Sequence, residues 1–167
     1  TDDATLALVL RTTCEAFDHV AIWCGHGRDL LILGFESSDP LPAIDVLQRR
    51  WGRRDFQEGF GRIGVESLPA LLAHEILPLG VLHEIDLPGA IHTLLRPSLN
   101  HRAALAVFAG ASASLPACTT HRAAEIGAAN SLLGRYHAAR GGSLSDTDWG
   151  GAASEVCKLA QSACATF

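Results

Sequence analysis

Two short runs of apolar and β-favouring residues, His19-Val20-Ala21-Ile22-Trp23-Cys24 and Leu30-Leu31-Ile32-Leu33-Gly34-Phe35, flank the segment Gly25-His26-Gly27-Arg28-Asp29. The pattern predicts a β-hairpin. It is also the tightest constraint on the fold, because a two-stranded ribbon does not stand alone in water and needs a third strand or a covering helix. The second run is almost wholly apolar, which predicts cover on both faces. One cover comes from the preceding segment, where Leu6, Val9, Leu10, Thr13, Cys14 and Phe17 recur at helical spacing and Asp2 or Asp3 can cap the start. Further strands are expected from chain outside this sequence or from a neighbouring subunit.

After the hairpin the pattern turns helical. Leu41, Ile44, Leu47 and Trp51 mark one apolar face, with Pro40 and Pro42 near its start. Arg49, Arg50, Arg53 and Arg54 crowd the C-terminal end of that helix, where cations complement its dipole. The sharper alternative is a site for phosphate or anionic lipid. Gly59-Phe60-Gly61-Arg62-Ile63-Gly64 spells G-x-G-x-x-G, but no strand precedes it and no helix opens directly after it, so dinucleotide binding is not supported. Ser67 caps a helix predicted over Leu68 to Ile76, with Pro69 tolerated in its first turn. Pro78 ends that helix, and Leu79 to Ile85 reads as one more short turn of helix. The Arg96-Pro97 step predicts an extended crossing before Asn100 to Phe108 becomes helical.

The last fifty or so residues are Ala-rich. Thr119 or Thr120 can cap a helix running to Arg140, ended by Gly141-Gly142. Ser145-x-x-Asp148 approximates a capping box for a final helix carrying Trp149, Ala153, Val156, Ala160 and Ala163. Together these predict an αα-hairpin with close-packed small residues. The fold class is therefore α+β: an antiparallel hairpin on helices over residues 1–110, then an α-helical tail over residues 111–167.

Composition narrows the function. At 167 residues, 48% of them hydrophobic, the chain can bury one good core or a core with a small appendage. A net charge of −5 gives no electrostatic case for nucleic acid. No apolar run approaches the roughly 18–20 residues that span a bilayer, and no signal-peptide pattern is present. The compartment stays open, a soluble cytoplasmic domain fitting better than an exported one. Any membrane contact would then run through a partner or a missing segment. Thr1 in a sequence without methionine reads as the interior of something longer. The five cysteines fit small buried hydrophobes, with a disulfide involving Cys118 as the alternative. His74, His83, His92 and His101 are spaced nine apart, which puts neighbours on opposite sides of any helix and offers no zinc-like pair.

Read together, residues 2–108 resemble the C-terminal part of membrane-fused spermidine synthase-like proteins. LALVLRTTCEAFDHVAIWCGHGRDLLILGF looks like the last helix and antiparallel strand pair of the aminopropyltransferase Rossmann-type sheet. ESLPALLAHEILPLGVL is similar to the helical region that follows there. The sharpest similarity is His92-Thr93-Leu94-Leu95-Arg96-Pro97-Ser98-Leu99-Asn100, where such proteins carry N/H-T-D-D-R-P-x-L-E. Leu132 to Gly142 is similar to a tetratricopeptide-type repeat. His92, Thr93, Arg96 and Pro97 keep the motif, whereas Leu94, Leu95 and Asn100 replace its acids. Apolar side chains can neither bind a polyamine nor take a proton. The resemblance thus implies a module without catalytic residues, cofactor or metal, packing against partner protein subunits of a larger, membrane-associated complex. Arg49, Arg50, Trp51, Arg53, Arg54, Tyr136 and Trp149 are its candidate contacts. The alternative is the C-terminal fragment of an active aminopropyltransferase using decarboxylated S-adenosylmethionine, with Thr93 and Arg96 flooring a polyamine site built mainly upstream.

Overall fold

The hairpin forms where the apolar runs require it, and the computed structural model describes it within residues 2–25, 29–37, 40–110, 113–114 and 120–164. The elements in chain order are α1 (Asp3–Ala16), β1 (His19–Cys24), β2 (Leu30–Phe35), α2 (Ile44–Trp51), α3 (Arg54–Gly61), α4 (Leu68–Leu72) and β3 (Glu75–Leu77). A 3-10 turn (Val81–Glu84) follows, then α5 (Ser98–Phe108), α6 (His121–Asn130), α7 (Leu132–Ala139) and α8 (Asp146–Cys164). The class is α+β.

Helix α1 starts at Asp2, whose carboxylate accepts the Thr5 N–H at 2.7 Å. This satisfies one of the donors that a helix start leaves open. The helix ends at Phe17, which is extended and leads into β1. β1 and β2 pair antiparallel from His19 opposite Phe35 to Cys24 opposite Leu30.

A third strand was expected only from outside this sequence, yet the chain supplies one. β3 lies antiparallel on the other edge of β1, giving the order β2-β1-β3. The helix predicted through Ile76 stops at Leu72, and Cys24 donates its N–H to the His74 carbonyl at 2.9 Å. Pairing with a distant strand overrides local helix preference there. The chain thus completes a three-stranded sheet by itself, which removes the need for strands from elsewhere. The β1–β3 register slips by one, from Ile22 opposite Leu77 to Trp23 opposite Glu75, leaving Ile76 as a bulge.

The core lies in two parts, one on each face of β1. On the inner face Val20 and Ile22 pack with Leu6 and Leu10 of α1, Leu77, Val81, Leu82, Leu87 and Ala123. On the outer face Trp23 packs with Leu68, Leu72, Leu132 and Tyr136, joined by Ile44, Leu47 and Trp51. Each fully buried Leu or Ile stabilises by about 1.5–3 kcal/mol. Close packing also fixes Gly34 on the inner face. A Cβ there would sit 2.5 Å from the Phe17 ring, so only glycine admits the aromatic cover.

The cover expected on both faces of β2 is present on one. Its inner residues Leu30 and Ile32 join the core, but Leu31 is 53% and Leu33 40% exposed. The outer helical layer gathers around Trp23 on β1 and leaves these two leucines about half exposed.

The C-terminal helix also departs from expectation. The segment from Thr120 breaks at Ser131, which is extended and caps α7 by accepting the Gly134 N–H at 3.3 Å. α8 packs chiefly on α4, and not as the second arm of a hairpin on α7. Its contact with α7 is the Trp149 ring, 5.3 Å from that of His137.

Candidate functional site

The half-exposed outer face of β2 is a feature unlike a finished interior. β2 is an edge strand, so one of its sides faces no strand of the described sheet. An open strand edge presents unpaired N–H and C=O groups, and proteins usually guard it with lysine, proline or a bulge. Leu30-Leu31-Ile32-Leu33-Gly34-Phe35 contains no charge or proline, and its pairing to β1 runs without a slip.

A second apolar projection comes from the motif segment. Thr93 and Arg96 bridge each other, with the Arg96 N–H donating to the Thr93 carbonyl at 3.0 Å and to Thr93 Oγ1 at 3.1 Å. This tight turn thrusts Leu94 (97% exposed) and Leu95 (95%) into solvent. His92 anchors the turn: its N–H donates to Thr12 Oγ1 at 2.8 Å, and its Nδ1 accepts the Leu99 N–H at 3.3 Å. His92 and Thr93 are half-buried, while Arg96 and Pro97 are exposed. The four motif residues therefore build a turn and its anchor.

The arginine group divides between two helices. Arg49 and Arg50 fall in the last turn of α2, as the dipole reading requires. Arg53 and Arg54, however, cap and open α3, where cations oppose the dipole. Acidic neighbours answer three of the four charges. Arg49 pairs with Asp45, Arg53 is held bidentate by Asp55 at 3.0 and 2.6 Å, and Arg54 meets Glu58 at 2.6 Å. These side chains are exposed, and the pairs contribute little stability. They do cancel the cationic patch that a phosphate or lipid site needs. Beside them, Trp51 is half-buried with its ring 5.6 Å from that of Phe60. Tyr136 was a candidate contact but is 6% exposed, a core residue under Arg140. Its place on the apolar side of α7 decides this. Trp149 stays half in solvent.

Burial of titratable groups at the start of β3 escaped the sequence reading. His74 joins Cys24 of β1 to Glu155 of α8, and Glu75 accepts the Leu132 N–H at 2.7 Å. Burial pushes the Glu75 carboxyl up to about 7, against the opposing pull of that N–H and of Arg135. Arg135 Nη1 is itself buried without a hydrogen-bond partner. Regular spacing among four histidines hid the one that matters, since its partner lies 81 residues away.

A concavity of about 680 Å³ lies between α1, the loop 86–90 and Arg102 of α5. Its walls are leucine and alanine from α1, and Asp3, Asp86 and Arg102 give its rim both signs of charge. Among the described residues no three His, Cys, Asp or Glu side chains come together in a way that could hold a metal. Cys14 and Cys24 are half-buried free thiols, both raised by burial, with Asp29 adding to the rise at Cys24. Cys157 is free and exposed, contrary to its expected burial. The disulfide alternative rested on Cys118, which lies outside the described residues. No helix among the described residues is long and apolar enough to cross a membrane.

The chain matches no protein-family model, no curated protein and no solved structure.

Proposed function

We propose that this chain is a non-catalytic interaction module, derived from a spermidine synthase-like fold, that packs against a partner protein subunit through the outer face of β2. The observation that carries this reading is the pair Leu31 and Leu33, at 53% and 40% exposure on an unguarded edge strand. Exposed apolar side chains grouped beside an open edge mark places where another chain is buried. The Leu94–Leu95 turn supports the same reading. Where the resembled motif carries two acids, this chain projects two leucines, which removes a polycation site and adds apolar surface.

Cross-linking of the full chain in its native extract, read by mass spectrometry, tests the proposal. Cross-links from residues flanking β2 to one recurrent polypeptide, lost in a Leu31→Lys, Leu33→Lys double variant that keeps its circular dichroism, are the expected result. Turnover of decarboxylated S-adenosylmethionine with putrescine by this chain alone would overturn it and favour the enzyme-fragment reading.

A further inference from the structure

Pairing with β1 decides which backbone groups of β2 point away from the sheet. Gly25 donates its N–H to the Asp29 carbonyl at 2.7 Å, which makes these two a hydrogen-bonded pair of the ladder. Such pairs alternate along an antiparallel ribbon. Leu31, Leu33 and Phe35 therefore turn their N–H and C=O groups toward β1, at Trp23, Ala21 and His19. Leu30, Ile32 and Gly34 turn theirs the other way, where no further strand lies among the described residues. Exposure agrees with this: no residue of β2 is buried, whereas three of β1 are. Side chains divide by the same parity, with Leu30 and Ile32 entering the core and Leu31 and Leu33 half-exposed on the outer face.

This edge is complementary to itself. Two copies of β2 laid antiparallel about a two-fold axis at Ile32 place Leu30 opposite Gly34 and Ile32 opposite Ile32. Every outward N–H of the strand then meets an outward C=O, in about six hydrogen bonds. Moving the axis to Leu31 or Leu33 leaves one outward residue of the strand unmatched. The axis at Ile32 also brings Leu31 of each copy opposite Leu33 of the other, at the closely spaced positions where cross-strand side chains approach most. Four half-exposed leucines thereby share one apolar patch. No like charges meet, because Leu30 to Phe35 carry none and Asp29 falls opposite Phe35. Growth stops at the far edge of the sheet. β3 is three residues long and slips in register, so it offers little to a third copy, and the two-fold pairing closes.

We propose that the partner of β2 is a second copy of this chain, paired edge to edge about Ile32 so that two three-stranded sheets become one continuous antiparallel sheet. The inference rests on the reading of β2 as an interaction surface and names the chain that covers it.

Sedimentation velocity of the full chain over a concentration series tests it. The wild type should pass from the mass of one chain to twice that mass. Leu31→Lys with Leu33→Lys sets like charges opposite each other at both close pairs, and should raise the dissociation constant on the order of a hundredfold. Leu31→Lys with Leu33→Glu removes the same leucines but sets opposite charges there, and should dimerise about tenfold more tightly than the double-lysine variant. A wild type that stays single at every concentration would overturn the proposal. So would a dimer indifferent to the two lysines, or two variants that dissociate alike. Should either variant fail to fold, hydrogen exchange of the wild type decides: the Ile32 and Gly34 amides must slow as the protein is concentrated, and unchanged exchange refutes the pairing. A single wild-type chain whose β2 cross-links to a different polypeptide would remove the second copy and keep the interaction surface. Absence of cross-links of either kind would remove both.

Discussion

β1 and β2 are six residues each, joined in one hairpin and similarly apolar, yet one is interior and the other half surface. Val20 and Ile22 are wholly buried and Ala21 nearly so, while Leu31 and Leu33 on β2 meet solvent. The difference comes from position in the sheet. β1 has β3 on its far side and the α4–α7 layer over Trp23, whereas β2, among the described elements, rests chiefly on α1. Apolar composition decides that a strand wants cover, and topology decides whether it receives any.

The sharpest way to break this comparison is a matched truncation. Ile22→Ala should lose about 2–5 kcal/mol of unfolding free energy, and Leu31→Ala should stay within about 0.5 kcal/mol. Equal losses in urea titration would mean that β2 is covered on its outer face after all. Gly34→Ala probes the covered side of β2. The Phe17 ring would have to move from 2.5 Å, which should cost about 1–3 kcal/mol in the same titration.

The outer layer over β1 can be tested through pH. Glu75 holds its proton in the folded chain up to about 7, against an ordinary carboxyl value of 4.5. Between those values the folded state binds more protons than the unfolded one, so this group's contribution is greatest at low pH and is lost as pH rises toward 7. Glu75→Gln should remove a decline on the order of 1–3 kcal/mol from the stability–pH curve. A curve unchanged by the substitution would contradict the burial assigned to this carboxyl. The smallest effect is expected at Ser67, whose hydroxyl caps α4 by accepting the Ala70 N–H at 3.2 Å. Ser67→Ala should cost about 1 kcal/mol in thermal or urea unfolding, with β2 undisturbed in its hydrogen exchange.

Much of the local structure was readable from residue order. The spacing of Leu6 and Leu10 behind Asp2, and the paired apolar runs, specify α1 and the hairpin with neighbouring residues alone. Ser67 likewise marks the start of α4. What sequence order hid were long-range choices. Glu75-Ile76-Leu77 continues a good helical pattern, and only the waiting edge of β1 makes it a strand. Gly52 separates Arg50 from Arg53, which turns one supposed cluster into the end of one helix and the start of the next. Tyr136 resembles a surface aromatic until Leu68 and Leu72 arrive against it. The His74–Glu155 contact had no local signal. Motif comparison pointed to residues 92–100, where an extended crossing was expected; the Thr93–Arg96 bridge makes it a tight turn instead, with Leu94 and Leu95 standing in solvent.

The bulge at Ile76 has a bearing on which changes this chain can tolerate. On an unbroken strand, residues two apart share a face, so Glu75 and Leu77 would both point into the inner core or both point out. The supernumerary residue shifts the alternation by one place, sending Leu77 inward to Ile22 and Val81 while Glu75 reaches outward to α7. Deleting Ile76 would make Glu75 and Leu77 successive residues of a regular strand, still opposite Trp23 and Ile22 and still on opposite faces. At this position the chain can lose a residue without turning its neighbours over.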